Sequence, residues 1–287
     1  MPTVDIDGIA TYYEVVGSGP ALLMFSPGGF NARLDNWSRH GVYKGLNLVP
    51  RLAEEFSCVL FDRRESGRSG GRVQSLSWRD YAAQGKGLLD HLGLRRAHLM
   101  GGCVGCSVVA EFAVRYPEAT GGLVLYSPAG GARYRMLQHA RFAEHEVFVR
   151  ANGLAAVVEL ARAEGKGFSE DARVGPWAPV LRADDGFARA YAGLDPLWYQ
   201  LVAGGTARTL FDRDTVPGPE PEELMRVAAP ALVVPGQDAS HATSAARFLE
   251  ECLPGARYWD TPVAEQTEEA TIPLLLDFLR AAERSGE

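Results

Sequence analysis

The sequence is poor in the features that mark several protein classes. Cysteine is scarce, with four residues in 287, too few for a disulfide scaffold. Basic residues do not dominate. The formal net charge of −7 leaves no electrostatic footprint for nucleic acid or an anionic membrane. No apolar run approaches the roughly 20 residues that a membrane-spanning helix needs. The opening MPTVDIDGIATYYEVV has neither the basic stretch nor the apolar core of a secretory signal. No His, Cys, Asp or Glu cluster has metal-ligand spacing, and no nucleotide fingerprint accompanies Gly28-Gly29. Neither a metal nor a cofactor is therefore expected. The reading is a cytoplasmic protein with reduced thiols that acts on a small molecule; a homodimer stays open.

What is present is a regular alternation. Residues 3–6 and 9–16 alternate polar and apolar around Asp7-Gly8, the pattern of a β-hairpin. Apolar runs at 21–26, 57–61, 96–101, 121–126, 231–235 and 256–260 predict strands. Residues 47–55, 78–92, 103–116, 243–252 and 267–282 predict helices. Such alternation implies an α/β protein, with a mostly parallel sheet and helices on both faces. Residues 128–225 break the pattern, being helical and rich in aromatics that include Tyr134, Phe142, Trp198 and Tyr199. The expected organisation is a core of 1–127 and 226–287 with a helical lid, 128–225, inserted over the carboxyl edge of the sheet, where ligands bind in open α/β sheets. A packing layer without a role in substrate choice is the alternative.

Gly101-Gly102-Cys103-Val104-Gly105 stands at the junction of a predicted strand and helix. A nucleophile on so tight a turn needs small neighbours two residues to either side, and Gly101 and Gly105 meet that need around Cys103. The helix N-terminus also favours a thiolate there. Cys106 completes a C-x-x-C, but packing of helix on strand accounts for it. Cys58 and Cys252 suit buried positions.

Here the chain resembles the α/β-hydrolase superfamily over nearly its whole length. Ser26-Pro27-Gly28-Gly29-Phe30 looks like the His-Gly loop after the third strand, and Asp62-Arg63-Arg64-Glu65-Ser66-Gly67-Arg68-Ser69 like the D-x-R-G-x-G-x-S stretch after the fourth. Pro235-Gly236-Gln237-Asp238 looks like the loop that carries the acid. The resemblance implies a nucleophile at Cys103, an acid at Asp238, and an oxyanion hole from the backbone N–H of Val104 and of Gly29 or Phe30. Cysteine is the minority choice at the nucleophile elbow, as in dienelactone hydrolases. Glu65 stands where glycine is usual.

The largest departure is the base. The stretch after the last strand, 260–269, contains no histidine, and the usual position falls on Val263, Ala264 or Glu265. Of the six histidines, His91 and His98 sit on a helix and a strand, and His40, His139 and His145 lie in the first loop region and the lid. His241 alone follows Asp238 on the acid loop, and it is the candidate base. A thiol with an ordinary pKa near 8.5 needs far less help than a hydroxyl, so a cysteine and a displaced histidine suit each other. Glu265 is the alternative orienting carboxylate. Arg64 and Glu65 are candidates to face substrate, against a salt-bridged loop pair, and Trp198 and Tyr199 are candidates to line the pocket.

The function expected is hydrolysis or acyl transfer at an ester, thioester or lactone carbonyl. A lyase or isomerase without a covalent intermediate and a non-catalytic binder are the alternatives, because a fold hosts many functions.

Overall fold

The computed structural model describes residues 2–285. Eight strands run in chain order as β1 (Thr3–Ile6), β2 (Ile9–Val16), β3 (Ala21–Phe25), β4 (Ser57–Phe61), β5 (Ala97–Gly102), β6 (Thr120–Tyr126), β7 (Ala231–Val234) and β8 (Ala256–Tyr258). They form one sheet in the order β1-β2-β4-β3-β5-β6-β7-β8. The β1–β2 and β2–β4 pairs are antiparallel, and the pairs from β4 to β8 are all parallel. The hairpin between β1 and β2 turns on Asp7 and Gly8, with φ of 53° and 72°, the left-handed pair a tight hairpin demands.

The parallel strands are short apolar runs because both of their faces are covered. In β3, Leu23 and Phe25 pack into one hydrophobic cluster and Leu22 and Met24 into the other. Parallel neighbours need crossover connections, and helices supply them. The helices are α1 (Asn36–Arg39), α2 (Leu48–Leu52), α3 (Trp78–His91), α4 (Gly105–Arg115), α5 (Ala132–Glu164), α6 (Ala178–Ala183), α7 (Asp185–Ala192), α8 (Pro196–Leu210), α9 (Pro221–Leu224), α10 (Thr243–Cys252) and α11 (Glu268–Ser285), of which α11 follows the last strand and covers the sheet without joining strands. Tyr81 and Leu88 of α3, Val108 and Phe112 of α4 and Leu249 of α10 cover one face. Leu48 and Leu52 of α2 with Leu275 and Leu279 of α11 cover the other. The chain thus has the mostly parallel sheet covered on both faces that its alternation implies, in the architecture that the resemblance to α/β-hydrolases implies.

The chain between β6 and β7 is helical, with α5 packed against α6, α7 and α8 and broken at Gly153, whose φ is 80°. Element ends differ from the sequence expectation where backbone geometry intervenes. The helix expected to open at Cys103 starts at Gly105, because Cys103 itself has φ 55°. Among the described residues no helix is long and apolar enough to cross a membrane.

Candidate active site

The site begins at a strained turn. Cys103, between the end of β5 and the start of α4, holds φ at 55°, a conformation that costs a side-chain-bearing residue on the order of 1–2 kcal/mol. The surroundings impose it. The Cys103 N–H donates to the Tyr126 carbonyl at 3.2 Å, and the Cys103 carbonyl accepts from Cys106 at 3.1 Å and Ala129 at 3.2 Å. A Cβ on Gly105 would lie 2.1 Å from the Phe25 carbonyl oxygen, and one on Gly101 2.5 Å from the Gly105 oxygen. Only glycine lets helix and strand approach this closely. The Cys106 thiol bonds the Gly101 carbonyl at 3.1 Å, so the second cysteine of the C-x-x-C is occupied in holding the turn.

The acid loop reaches the turn through a tertiary clasp. Gly130 N–H donates to the Ser240 carbonyl at 2.9 Å, and Gly130 and His241 form an isolated parallel bridge. Asp238 Oδ1 accepts from the backbone of Ser240 at 2.8 Å and of His241 at 2.9 Å, curling the loop back on itself. That curl brings His241 Nδ1 to 2.8 and 2.9 Å from the two Asp238 oxygens. Gly236 makes the room, since a Cβ there would lie 2.4 Å from the His241 Cβ. The other ring nitrogen, Nε2, is buried without a regular hydrogen-bond partner and lies within reach of the Cys103 thiol.

Charge on the two groups is mutually supporting. Burial pushes the Cys103 thiol up, but the hydrogen bond and positive charge of His241 and the backbone N–H groups of Val104 and Gly28 bring it below the ordinary thiol value. Burial pushes His241 down, yet Cys103 and Asp238 together raise it to about 9. The opposite holds at the other cysteines: burial alone raises Cys58 to about 12, and it raises Cys106 well above the usual range. His40, exposed in the first loop, is held below its ordinary value by partial burial and by His241.

A small cavity of about 20 Å³ adjoins the turn. Its floor is Gly29, Phe30, Arg63 and Val104, at the carboxyl ends of β3, β4 and β5, and Trp78 and Tyr81 of α3 form one wall. Tyr134 and Gln138 of α5, with Leu210 and Phe211 at the end of α8, form the roof. The three residues expected to supply oxyanion donors thus line the cavity, although the first-loop N–H that acts on the sulfur is that of Gly28. Asn36 Nδ2 fixes this loop, donating to the Pro27 carbonyl at 2.7 Å and the Asn31 carbonyl at 2.8 Å.

Several expected site residues lie elsewhere. Arg64 and Glu65 do not line the cavity; Arg64 Nε bonds the Glu65 carboxylate at 3.0 Å with both side chains buried, a structural pair within the loop after β4, which the Arg64 backbone N–H ties to Gln84 of α3 at 2.8 Å. Neighbouring Arg63 faces the cavity instead, held by the Gly29 carbonyl and the Tyr81 ring. Glu265 is exposed. Its neighbour Gln266 is buried, accepts from the Tyr126 hydroxyl at 3.1 Å and donates to the Pro235 and Thr261 carbonyls at 3.0 and 3.1 Å, tying the loop after β8 to the acid loop. Trp198 is 43% exposed and borders a separate groove with Arg72 and Phe187. Tyr199 is fully buried among Trp177, Tyr191 and His145, because α8 turns that face inward.

His145 is held neutral by burial, near a pKa of about 4; its Nδ1 donates to the Arg173 carbonyl at 3.0 Å, and its Nε2 accepts from the Tyr199 hydroxyl at 2.5 Å. Trp198→Ala is therefore expected to leave KM within about twofold of wild type, since single-site exposed changes cost little. Tyr199→Phe strips a buried nitrogen of its partner and should lower stability by about 1–3 kcal/mol. Steady-state kinetics and thermal melts check both; a several-fold rise in KM for Trp198→Ala would return that residue to the site.

Arg63, Trp78, Tyr81, Gln138, Gly236 and Gln266 were not singled out from sequence. Of these, Arg63 and Gly236 stand in stretches that carry a signal, the one that leaves β4 and the acid loop, but a run of two arginines does not say which one turns inward.

Comparison with known proteins agrees with this architecture. Residues 21–155 match the family model described as alpha/beta hydrolase fold. Over 127 residues the chain is 32% identical to a 2-hydroxy-6-oxo-6-phenylhexa-2,4-dienoate hydrolase of Comamonas testosteroni, covering 44% of this chain and 42% of that protein. It is 31% identical over 121 residues to a fluoroacetate dehalogenase of Burkholderia sp, covering 40% and 36%. The matched region spans less than half the length of these curated relatives. An enol-lactonase from Burkholderia xenovorans LB400 superposes with a TM-score of 0.63 at 20% identity, covering 97% of this chain and 100% of that one. With eight strands in this order and that match along its length, the chain has the α/β-hydrolase fold.

Proposed function

We propose that this protein is a hydrolase that attacks a carbonyl of a small molecule through Cys103. The observation that carries the reading is His241, oriented by Asp238 on one nitrogen and turned toward the Cys103 thiol with the other. The relatives named as hydrolases and a dehalogenase support a hydrolytic reaction.

In the resting site the thiol proton lies on His241, giving a thiolate–imidazolium pair of the kind that activates cysteine nucleophiles. The sulfur adds to the carbonyl carbon, and the carbonyl π pair moves onto oxygen. Backbone N–H groups of Val104 and the Gly28–Phe30 loop stabilise that oxyanion. Collapse expels the leaving group, which takes the proton from His241. Neutral His241 then removes a proton from water, hydroxide adds to the acyl carbon, and the thiolate leaves with the acid released. Asp238 keeps the imidazole in the tautomer that presents Nε2 to the reaction and stabilises its charged form. The segment from α5 to α8 acts as a lid, since Tyr134, Gln138 and Phe211 roof the cavity.

The test is the pH dependence of alkylation. Iodoacetamide should modify Cys103 at pH 7 well ahead of Cys58, Cys106 and Cys252, because burial raises those three. The rate should stay flat from below the ordinary thiol pKa up to about 9, where His241 loses its proton. The sign is fixed by the pair: acid removes the thiolate, and base removes the general acid, so turnover falls on both sides. Equal labelling of all four thiols would exclude the pair. Intact mass after incubation with activated esters and thioesters then reads the acyl adduct; turnover without any adduct would favour lyase or isomerase chemistry.

A further inference from the structure

The cavity beside Cys103 holds a cation that the mechanism above does not use. Arg63 is 6% exposed. Its Nη2 donates to the Gly29 carbonyl, and its guanidinium lies over the Tyr81 ring, 4.2 Å from the centroid. Its Nε has no hydrogen-bond partner. Its neighbours are matched: Arg64 pairs with Glu65 at 3.0 Å and Arg68 with Asp62 at 2.8 Å. Among the described residues no carboxylate pairs with Arg63 within 4.0 Å; the Glu65 carboxylate acts on it only at longer range and is itself bound to Arg64. A buried charge normally has a counter-ion or shifts its protonation, and an arginine does not deprotonate in a protein.

Two other buried polar atoms of the same cavity lack a regular hydrogen-bond partner, the Trp78 indole N–H and the Tyr81 hydroxyl, the latter only within longer reach of the Arg63 guanidinium. Both residues are at least nine-tenths buried, at 5% and 1% exposure, and both line the cavity with Arg63 and Gln138. Burial raises Tyr81 to about 12 despite the Arg63 charge, so it stays a donor at neutral pH. Buried polar groups are ordinarily satisfied; three unsatisfied ones around a single cavity point to a missing acceptor.

We propose that this cavity holds a carboxylate of the substrate, with Arg63 as its counter-ion and the Trp78 N–H and Tyr81 O–H as further donors. One guanidinium matches a monoanion, and a planar carboxylate suits its forked donors. The Gly29 carbonyl takes only one Nη2 bond, leaving the remaining edge to the ligand. The substrate class becomes small carboxylic acids carrying a second, hydrolysable carbonyl. This rests on the proposed function only in taking the cavity beside Cys103 as the substrate site.

Binding tests it without requiring turnover. Affinities of benzoate and phenylacetate, and of the near-isosteric neutral benzamide and phenylacetamide, are measured by calorimetry on wild type, Arg63→Gln and Arg63→Lys. In the wild type each acid should bind at least about 10-fold tighter than its amide, the return expected of a charge-assisted contact. Arg63→Gln should bring the ratio to near one, and Arg63→Lys should keep part of it. Acids that bind no tighter than amides in the wild type, including no binding by either, would overturn the proposal, as would an unchanged ratio in Arg63→Gln. If Arg63→Gln fails to fold, the wild-type ratio and Arg63→Lys decide. An arginine that only anchors the Gly29 carbonyl would weaken acid and amide alike, which also counts against the proposal. Loss of turnover on esters with the acid preference intact would instead overturn the hydrolase reading and leave this one standing.

Discussion

His241→Ala is expected to lower kcat by on the order of 10²–10⁴, the span of a lost general acid–base. The imidazole is held at 2.8 and 2.9 Å from both Asp238 oxygens, and the Nε2 facing Cys103 has no other regular partner. Removing the ring takes away both the proton acceptor and the charge that draws the thiol pKa down. Iodoacetamide labelling of Cys103 at pH 7 should slow with it, a readout that a merely structural role would not move. Asp238→Asn should cost less. The Asp238 side chain is 60% exposed, so solvent screens its field and its main service is to orient the ring. A His241→Ala variant with kcat within threefold of wild type and unchanged labelling would remove His241 from the reaction.

Cys103→Ala is expected to abolish turnover to below about one part in 10³, while the fold persists. Alanine occupies the same left-handed backbone at similar strain, and the ties that impose it run through the Cys103 N–H and C=O, not its side chain. The thermal midpoint should move by only a few degrees. Cys103→Ser should retain little activity, because a hydroxyl is far harder to ionise and the His241 charge is matched to a thiolate. Intact mass should show an acyl adduct on wild type and none on Cys103→Ala. An alanine variant that still turns over the same ester would end the nucleophile assignment and favour His241 as an acid–base acting alone.

The two variants together separate roles that the paired charges entangle. Effects of residues that act as a unit are not additive, so the double variant should be little worse than Cys103→Ala alone. Arg63 belongs to a different function, selection of the substrate, and its loss should combine additively with changes that do not touch the cavity.

Much of this was legible in sequence, and the reasons are local. Strands such as 57–61 and helices such as 243–252 match their expected bounds because burial on two faces or one writes itself into apolar period. The Cys103 turn was legible because only glycine fits at 101 and 105, where backbone meets backbone. That Asp238 and His241 share a loop was also plain, as was the absence of histidine from 260–269. Their meeting was not, since it depends on three bonds to Asp238 Oδ1, a bridge to Gly130 far away in sequence, and the space left by Gly236.

The choice between Arg63 and Arg64 was likewise decided by tertiary structure. Adjacent residues of one type carry no periodic signal, and it is the packing of this loop that pairs Arg64 with Glu65 and leaves Arg63 on the cavity. The same holds on α8, where Trp198 and Tyr199 are equally aromatic and helix packing alone buries one and exposes the other. Sequence by itself determined the sheet, the turn and the residue types available for chemistry, because those follow from short-range sterics and hydrophobic period. Which side chains face one another across the cavity was decided by contacts between segments distant in the chain, where no local propensity reaches.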